Sequence, residues 1–149
     1  MAVSVRPARE TELPLFIRME ADDDTNELLI SNTPEQHKIF FHIDSIEYLA
    51  IINDVSDQLL GFFIRAFEPN NSAVEFRRIV IAEKGKGYGQ KAIRTMEKYC
   101  IETHNTKNIW LDVFEFNKRG QHIYNKLGYQ CVRSESYEGK TLKIYEKNL

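Results

Sequence analysis

In the stretch RRIVIAEKGKGYGQKAIRTMEKYC, glycines 85, 87 and 89 occupy alternate positions, with Lys84 and Lys86 among them, between an apolar run and a segment of helical spacing. This sets the local fold. A strand that enters a helix through such a turn presents unpaired backbone N–H groups and the positive end of the helix dipole at one point, a place suited to phosphate. Glycine lets the backbone approach a ligand closely and adopt positive φ. The two lysines add charge within reach. The competing reading is a plain glycine turn whose lysines are only solvated.

What the turn lacks narrows the ligand. A P-loop needs Gly-Lys followed by Ser or Thr to hold magnesium, and here Gly85-Lys86 is followed by Gly87. A dinucleotide fingerprint competes better: Gly87 to Ala92 satisfies G-x-G-x-x-A, and Asp112 falls in the next strand at the spacing of a ribose-binding carboxylate. Against it, the turn lies mid-chain after several antiparallel strand signals, and too few residues follow to complete a dinucleotide-binding sheet.

The rest of the chain reads as alternating strands and helices. VSVRPA predicts a first strand ending at Pro7, a helix follows over Glu10 to Glu20, and Thr33-Pro34-Glu35-Gln36 is a capping box that opens a second helix towards Phe41. IEYLAIIND and QLLGFFIRAFE, separated by a turn at Asn53 to Asp57, predict a hairpin, and a turn at Pro69 to Ser72 leads into a third strand over Ala73 to Ala82. Tyr88 to His104 is a helix, NIWLDVFEF a strand, Asn117 to Leu127 a helix, and two short strands flank Gly139. The order β-α-α-β-β-β-α-β-α-β-β predicts a three-layer α/β/α fold with a mixed, mostly antiparallel sheet, in a single domain spanning residues 1–149.

Composition bounds the function classes. A chain of 149 residues that is 42% hydrophobic can bury a core without disulfides or metal. No apolar run approaches the ~20 residues of a bilayer span, and MAVSVRPARETEL lacks a secretory core, so a cytoplasmic protein is expected. A net charge of -2 gives no general attraction to nucleic acid or to an acidic membrane. Cys100 and Cys131 are expected to be ordinary buried thiols. His37, His42, His104 and His122 show no metal-ligand spacing and are expected at surface or partly buried positions, so no metal is anticipated.

Lys84-Gly85-Lys86-Gly87-Tyr88-Gly89 resembles the pyrophosphate-binding segment of the GNAT superfamily of N-acetyltransferases, Gln/Arg-x-x-Gly-x-Gly/Ala, with Lys84 in the first position. Lysine keeps the charge there but not the fork of donors. LDVFEFNKRGQHIYNKLGYQ resembles that family's later motif, L-x-V-x-x-x-N-x-x-A-x-x-x-Y-x-x-x-G-F, with Leu111, Val113, Asn117, Tyr124 and Gly128 in place, Gly120 at the Ala position and Tyr129 for the final Phe.

The resemblance implies acetyl-CoA as co-substrate, a primary amine as acceptor, and a V-shaped splay between the strand before the glycine turn and NIWLDVFEF, in which the pantetheine arm lies. It assigns cofactor contacts to Ile79, Val80, Ile81, Lys84, Gly85, Lys86, Gly87, Tyr88, Gly89, Gln90, Asn117 and Tyr124. Tyr124 also becomes the acid for the departing thiolate, and Glu75 the general base. Helix capping alone would explain Asn117, and an ion pair with Arg77 or Arg78 would explain Glu75.

Strand AVEFRRIVI mixes charged and apolar residues on both faces, which simple alternation does not explain and a bulge would. Glu20, Asp22, Asp23, Asp24 and Glu27 form an acidic stretch in the region that borders the family's acceptor cleft, which motivates a cationic acceptor: a polyamine, an aminoglycoside or a lysine side chain. No residue is placed for an acyl-enzyme, so direct attack by the amine is expected. The resemblance also allows a homodimer. The alternatives are a catalytically silent acyl-CoA-binding or sensing module and, further off, the dinucleotide-binding protein.

Overall fold

The computed structural model describes residues 3–21, 32–68, 73–82 and 86–149. The turn expected at Pro69 to Ser72, residues Asp22 to Glu27 of the acidic stretch, and Glu83, Lys84 and Gly85 lie outside the described residues.

Strand β1 (Val3–Pro7) leads through a single 3-10 turn, Glu10–Glu12, into helix α1 (Leu13–Glu20). Leu13, Phe16 and Glu20 are the residues α1 buries, a spacing that places them on one side of the helix. Helix α2 (Pro34–Phe41) begins with the expected capping box: Thr33 Oγ1 accepts from the Gln36 N–H at 3.2 Å, and Gln36 Oε1 accepts from the Thr33 N–H at 2.8 Å. A meander follows, β2 (Ile46–Asn53), β3 (Leu59–Phe67) and β4 (Ala73–Ile81). Its first turn is closed by Asn53, whose Oδ1 accepts from the Val55 N–H at 2.9 Å. Then come α3 (Tyr88–His104), β5 (Asn108–Phe114), α4 (Lys118–Lys126), β6 (Gln130–Tyr137) and β7 (Lys140–Asn148).

The strands form one sheet in the order β1-β2-β3-β4-β5-β7-β6. Every neighbouring pair is antiparallel except β4 and β5. That arrangement is the predicted mixed sheet, and it excludes the doubly wound parallel sheet of a dinucleotide-binding fold.

Two cores cover the two faces. On one, Leu13 and Phe16 of α1 pack with Tyr48, Ala50, Ile52, Phe62, Ile64 and Val80. On the other, Tyr88, Ala92, Ile93, Met96 and Cys100 of α3 pack with Leu49, Phe63, Phe76, Ile109, Leu111 and Val113. The broken alternation of β4 has a structural cause. Ile64 of β3 stands opposite Arg78 and Arg65 opposite Phe76, so Arg77 is an extra residue at a bulge. Phe76, Ile79 and Ile81 thereby all reach the α3 core, while Val80 joins the α1 core and Arg78 reaches Glu20.

Two expectations fail. Cys131 is exposed, because it sits on β6, the edge strand, every residue of which is exposed; Cys100 alone is buried. His37 is 0% exposed rather than at the surface, because it faces inward from α2 with both ring nitrogens engaged.

Candidate functional site

Strands β4 and β5 pair in parallel through three rungs, Ala73 with Asn108, Val74 with Ile109 and Glu75 with Trp110. Beyond them β4 continues against β3 and β5 against β7, with no further rung between them. The sheet therefore opens between Phe76–Ile81 and Leu111–Phe114. A strand edge facing such a gap offers backbone amides and carbonyls to an extended ligand.

At the α3 end of the gap, Gly87 is the N-cap of the helix with φ of +75°, a conformation that glycine adopts without steric cost. A Cβ built on Gly87 or Gly89 would meet nothing within 4 Å among the described residues. Gly87 has no side chain with which to cap the first turn of the helix. Lys86 is exposed and Gln90 half-buried beside this turn. Tyr88 is buried in the α3 core, so only its backbone can face a ligand there. The fit to a diphosphate rests on these glycines.

Tyr124 of α4 packs against Phe76, Tyr129 and Tyr145, with ring centroids 6.3, 5.9 and 6.2 Å away. Burial, and then the negative charge of Asp112, push its phenol up from the ordinary value, so it remains protonated at neutral pH. Its hydroxyl makes no hydrogen bond among the described residues. Asn117 caps α4: its Oδ1 accepts from the Gly120 N–H at 2.9 Å. A Cβ on Gly120 would come within 2.8 Å of Asn117 Nδ2, which makes glycine the residue that admits this cap in its present rotamer.

Glu75 lies on the α1 face of β4, bonded to Arg77 Nη2 at 3.0 Å and Nε at 3.3 Å. Asp112, two residues past the last β4–β5 rung, shares that face, because its neighbours Leu111 and Val113 point into the α3 core. It is exposed, yet its carboxyl is pushed up, first by the surrounding protein that limits its hydration and then by the charge of Glu75. Deeper on the same face is a group that sequence reading missed. Glu20, 3% exposed, accepts from Arg78 Nη1 at 2.7 Å, lies 3.1 Å from His37 Nε2 and takes the Asn32 N–H at 3.1 Å. The Tyr48 hydroxyl lies 2.7 Å from His37 Nδ1. Their sequence separations run from 11 to 58 residues, so local spacing could not reveal the set.

An acetyltransferase (GNAT) domain profile matches residues 3–130. The chain belongs to the GNAT acetyltransferase family. Within that family, it is 29% identical over 91 residues to the spermine/spermidine N(1)-acetyltransferase of Bacillus subtilis strain 168 and 28% identical over 91 residues to the probable spermine N(1)-acetyltransferase of Bacillus subtilis subsp. natto. These matches take in 59% of this chain and span 60% of the length of those relatives. The fold of spermidine N-acetyltransferase from Vibrio cholerae, in a crystal with CoA and spermine, superposes with a TM-score of 0.84 at 15% identity, covering 98% of this GNAT chain and 95% of that one. Another Vibrio cholerae spermidine/spermine N-acetyltransferase structure, with manganese ions, gives a TM-score of 0.78 at 16% identity, covering 99% and 92%. Among the described residues of the present GNAT domain, no group of three or more His, Cys, Asp or Glu is placed to hold a metal ion, and no helix is long and apolar enough to cross a membrane.

Proposed function

We propose that this chain is an N-acetyltransferase that transfers the acetyl group of acetyl-CoA to a primary amine of a cationic small molecule of the polyamine kind. The observation that carries this reading is the splay between β4 and β5, flanked by the glycine turn and by Tyr124. In the proposal the diphosphate lies at Gly87 and Gly89, with Lys84, Gly85, Lys86 and the backbone of Tyr88 and Gln90 completing the turn. The pantetheine arm runs along the Ile79–Ile81 edge of β4, whose side chains are held in the two cores. Asn117, already the cap of α4, fixes the start of the helix that presents Tyr124.

The amine attacks the thioester directly, and Tyr124 supplies the proton to the departing sulfur. A partly buried phenol that keeps its proton is fitted to that task. Proton removal from the amine falls to carboxylates on the α1 face, and Glu75 is the one the family resemblance designates. The polyamine reading draws support from the named activities of the Bacillus relatives and from the acidic composition of residues 22–27, Glu20 being already committed to Arg78 and His37. It sets the enzyme in the cytoplasm, where acetyl-CoA is available.

Calorimetric titration with acetyl-CoA, CoA and NAD tests the cofactor reading. Wild type should bind the CoA species and not NAD, and Gly87→Glu, which puts a bulky negative side chain in the turn, should abolish that binding. Equal CoA binding by the variant would remove the glycine turn from the site. Thiol release from acetyl-CoA in the presence of spermidine then separates an enzyme from a silent sensor.

A further inference from the structure

Glu20, Glu75 and Glu135 are each engaged by an arginine, at 2.7, 3.0 and 3.0 Å respectively. Asp112 makes no ion pair or hydrogen bond among the described residues. It stands two residues past the last β4–β5 rung, where β5 has left β4 and borders the opening in which the proposed function places the thioester. Its charge acts on Tyr124, and the charges of Glu75, Arg78, Glu135 and Arg77 act on it. A carboxylate in that position is the base that the opening itself supplies, because Glu75 is already committed to Arg77.

We propose that Asp112 is the catalytic residue that receives the acceptor's proton. This rests on the acetyltransferase reading above. The acceptor arrives as an ammonium, held by the Asp112 carboxylate. Asp112 Oδ takes one proton, leaving a free amine whose lone pair forms the C–N bond at the thioester carbonyl. The C–S bond breaks, the sulfur takes the proton of Tyr124, and the phenolate is reprotonated by the second proton released from nitrogen. Asp112 gives its proton to solvent, so one ammonium and one thioester yield one amide, one thiol and one proton.

The experiment measures thiol release from acetyl-CoA with spermidine as a function of pH for wild type, Asp112→Asn, Asp112→Glu and Glu75→Gln, alongside CoA titration and thermal melting of each. Asp112→Asn should lose about a hundredfold or more in kcat/KM, keep its CoA affinity and melt no lower than wild type. Asp112→Glu should recover part of the rate. Glu75→Gln should move the ascending limb of the kcat/KM profile to lower pH, because Asp112 loses the neighbour that raises its hold on a proton.

An Asp112→Asn enzyme with an unchanged rate and limb would overturn the inference and return the proton to Glu75, with the acetyltransferase reading intact. A lowered melting point accompanying the lost rate would make Asp112 structural and also overturn it. Wild type that binds CoA yet releases no thiol with any amine would overturn the acetyltransferase reading and the inference together.

Discussion

Glu20 and Asp112 stand on the same face of the sheet, one at the end of α1 and the other at the mouth of the splay, and their environments act on them in opposite senses. Burial alone would raise the Glu20 carboxyl, but the hydrogen bond with His37 and the charge and hydrogen bond of Arg78 outweigh it and hold Glu20 below its ordinary value. Asp112 is more open to water, lacks a partner among the described residues and is pushed up. The buried carboxylate is satisfied and fixed; the accessible one is unsatisfied and available. A site can therefore be distinguished from scaffold on one face by which acidic groups the fold has already committed.

The largest effect should come from breaking the committed group. Glu20→Gln removes the buried charge that faces Arg78 and the carboxylate that His37 contacts, and should cost about 3 to 5 kcal/mol in urea unfolding, the usual consequence of removing one member of a buried pair. Loss of under about 1 kcal/mol, the scale of an exposed pair, would show that the network is dispensable. Tyr48→Phe removes only the hydroxyl facing His37 Nδ1. It should cost about 1 to 3 kcal/mol, the penalty of an unsatisfied buried polar atom.

Asp112→Asn should be neutral or slightly stabilising near pH 7. A carboxyl raised by the fold is costlier to ionise in the native state than in the unfolded chain, so the neutral amide relieves a cost present once the pH exceeds the raised value. The pH dependence of stability should carry both signatures. The lowered Glu20 contributes stability that is complete above its unfolded value and is lost as pH falls through the lower folded value. Asp112 contributes the reverse sign over the range from its unfolded value up to its raised one. Unfolding free energy measured against pH for the two variants separates them: Glu20→Gln should flatten the acid-side loss, whereas Asp112→Asn should remove a decline at higher pH.

Much of the fold was legible because its signals are local. The bounds of α3 follow from the glycine turn and helical spacing, the start of α2 from its capping box, and the bulge in β4 from an alternation that fails at adjacent Arg77 and Arg78. The sequence could not place that bulge, since its position depends on the register with β3. The Glu20 group escaped for the same reason: it joins α1, α2, β2 and β4, which meet only after folding. His37 and Cys131 were misplaced because burial of a histidine or a cysteine is set by the element it packs under, and β6 packs under none.

Asp112 was visible as a residue in the right strand but was read for a ribose. Its meaning depends on the three-rung limit of the β4–β5 pairing, which is a property of the sheet. For the candidate site, motif spacing pointed to Gly87, Gly89, Asn117 and Tyr124. The proposed division of labour among the carboxylates required the assembled sheet.

The most direct measurement is steady-state acetyl transfer to spermidine by Tyr124→Phe, with the CoA dissociation constant determined on the same sample. Loss of about a hundredfold or more in kcat with CoA affinity unchanged is the predicted result, because the phenol acts on the departing sulfur rather than in binding. A kcat equal to that of wild type would contradict the account, removing Tyr124 from the chemistry and with it the central role given to the splay.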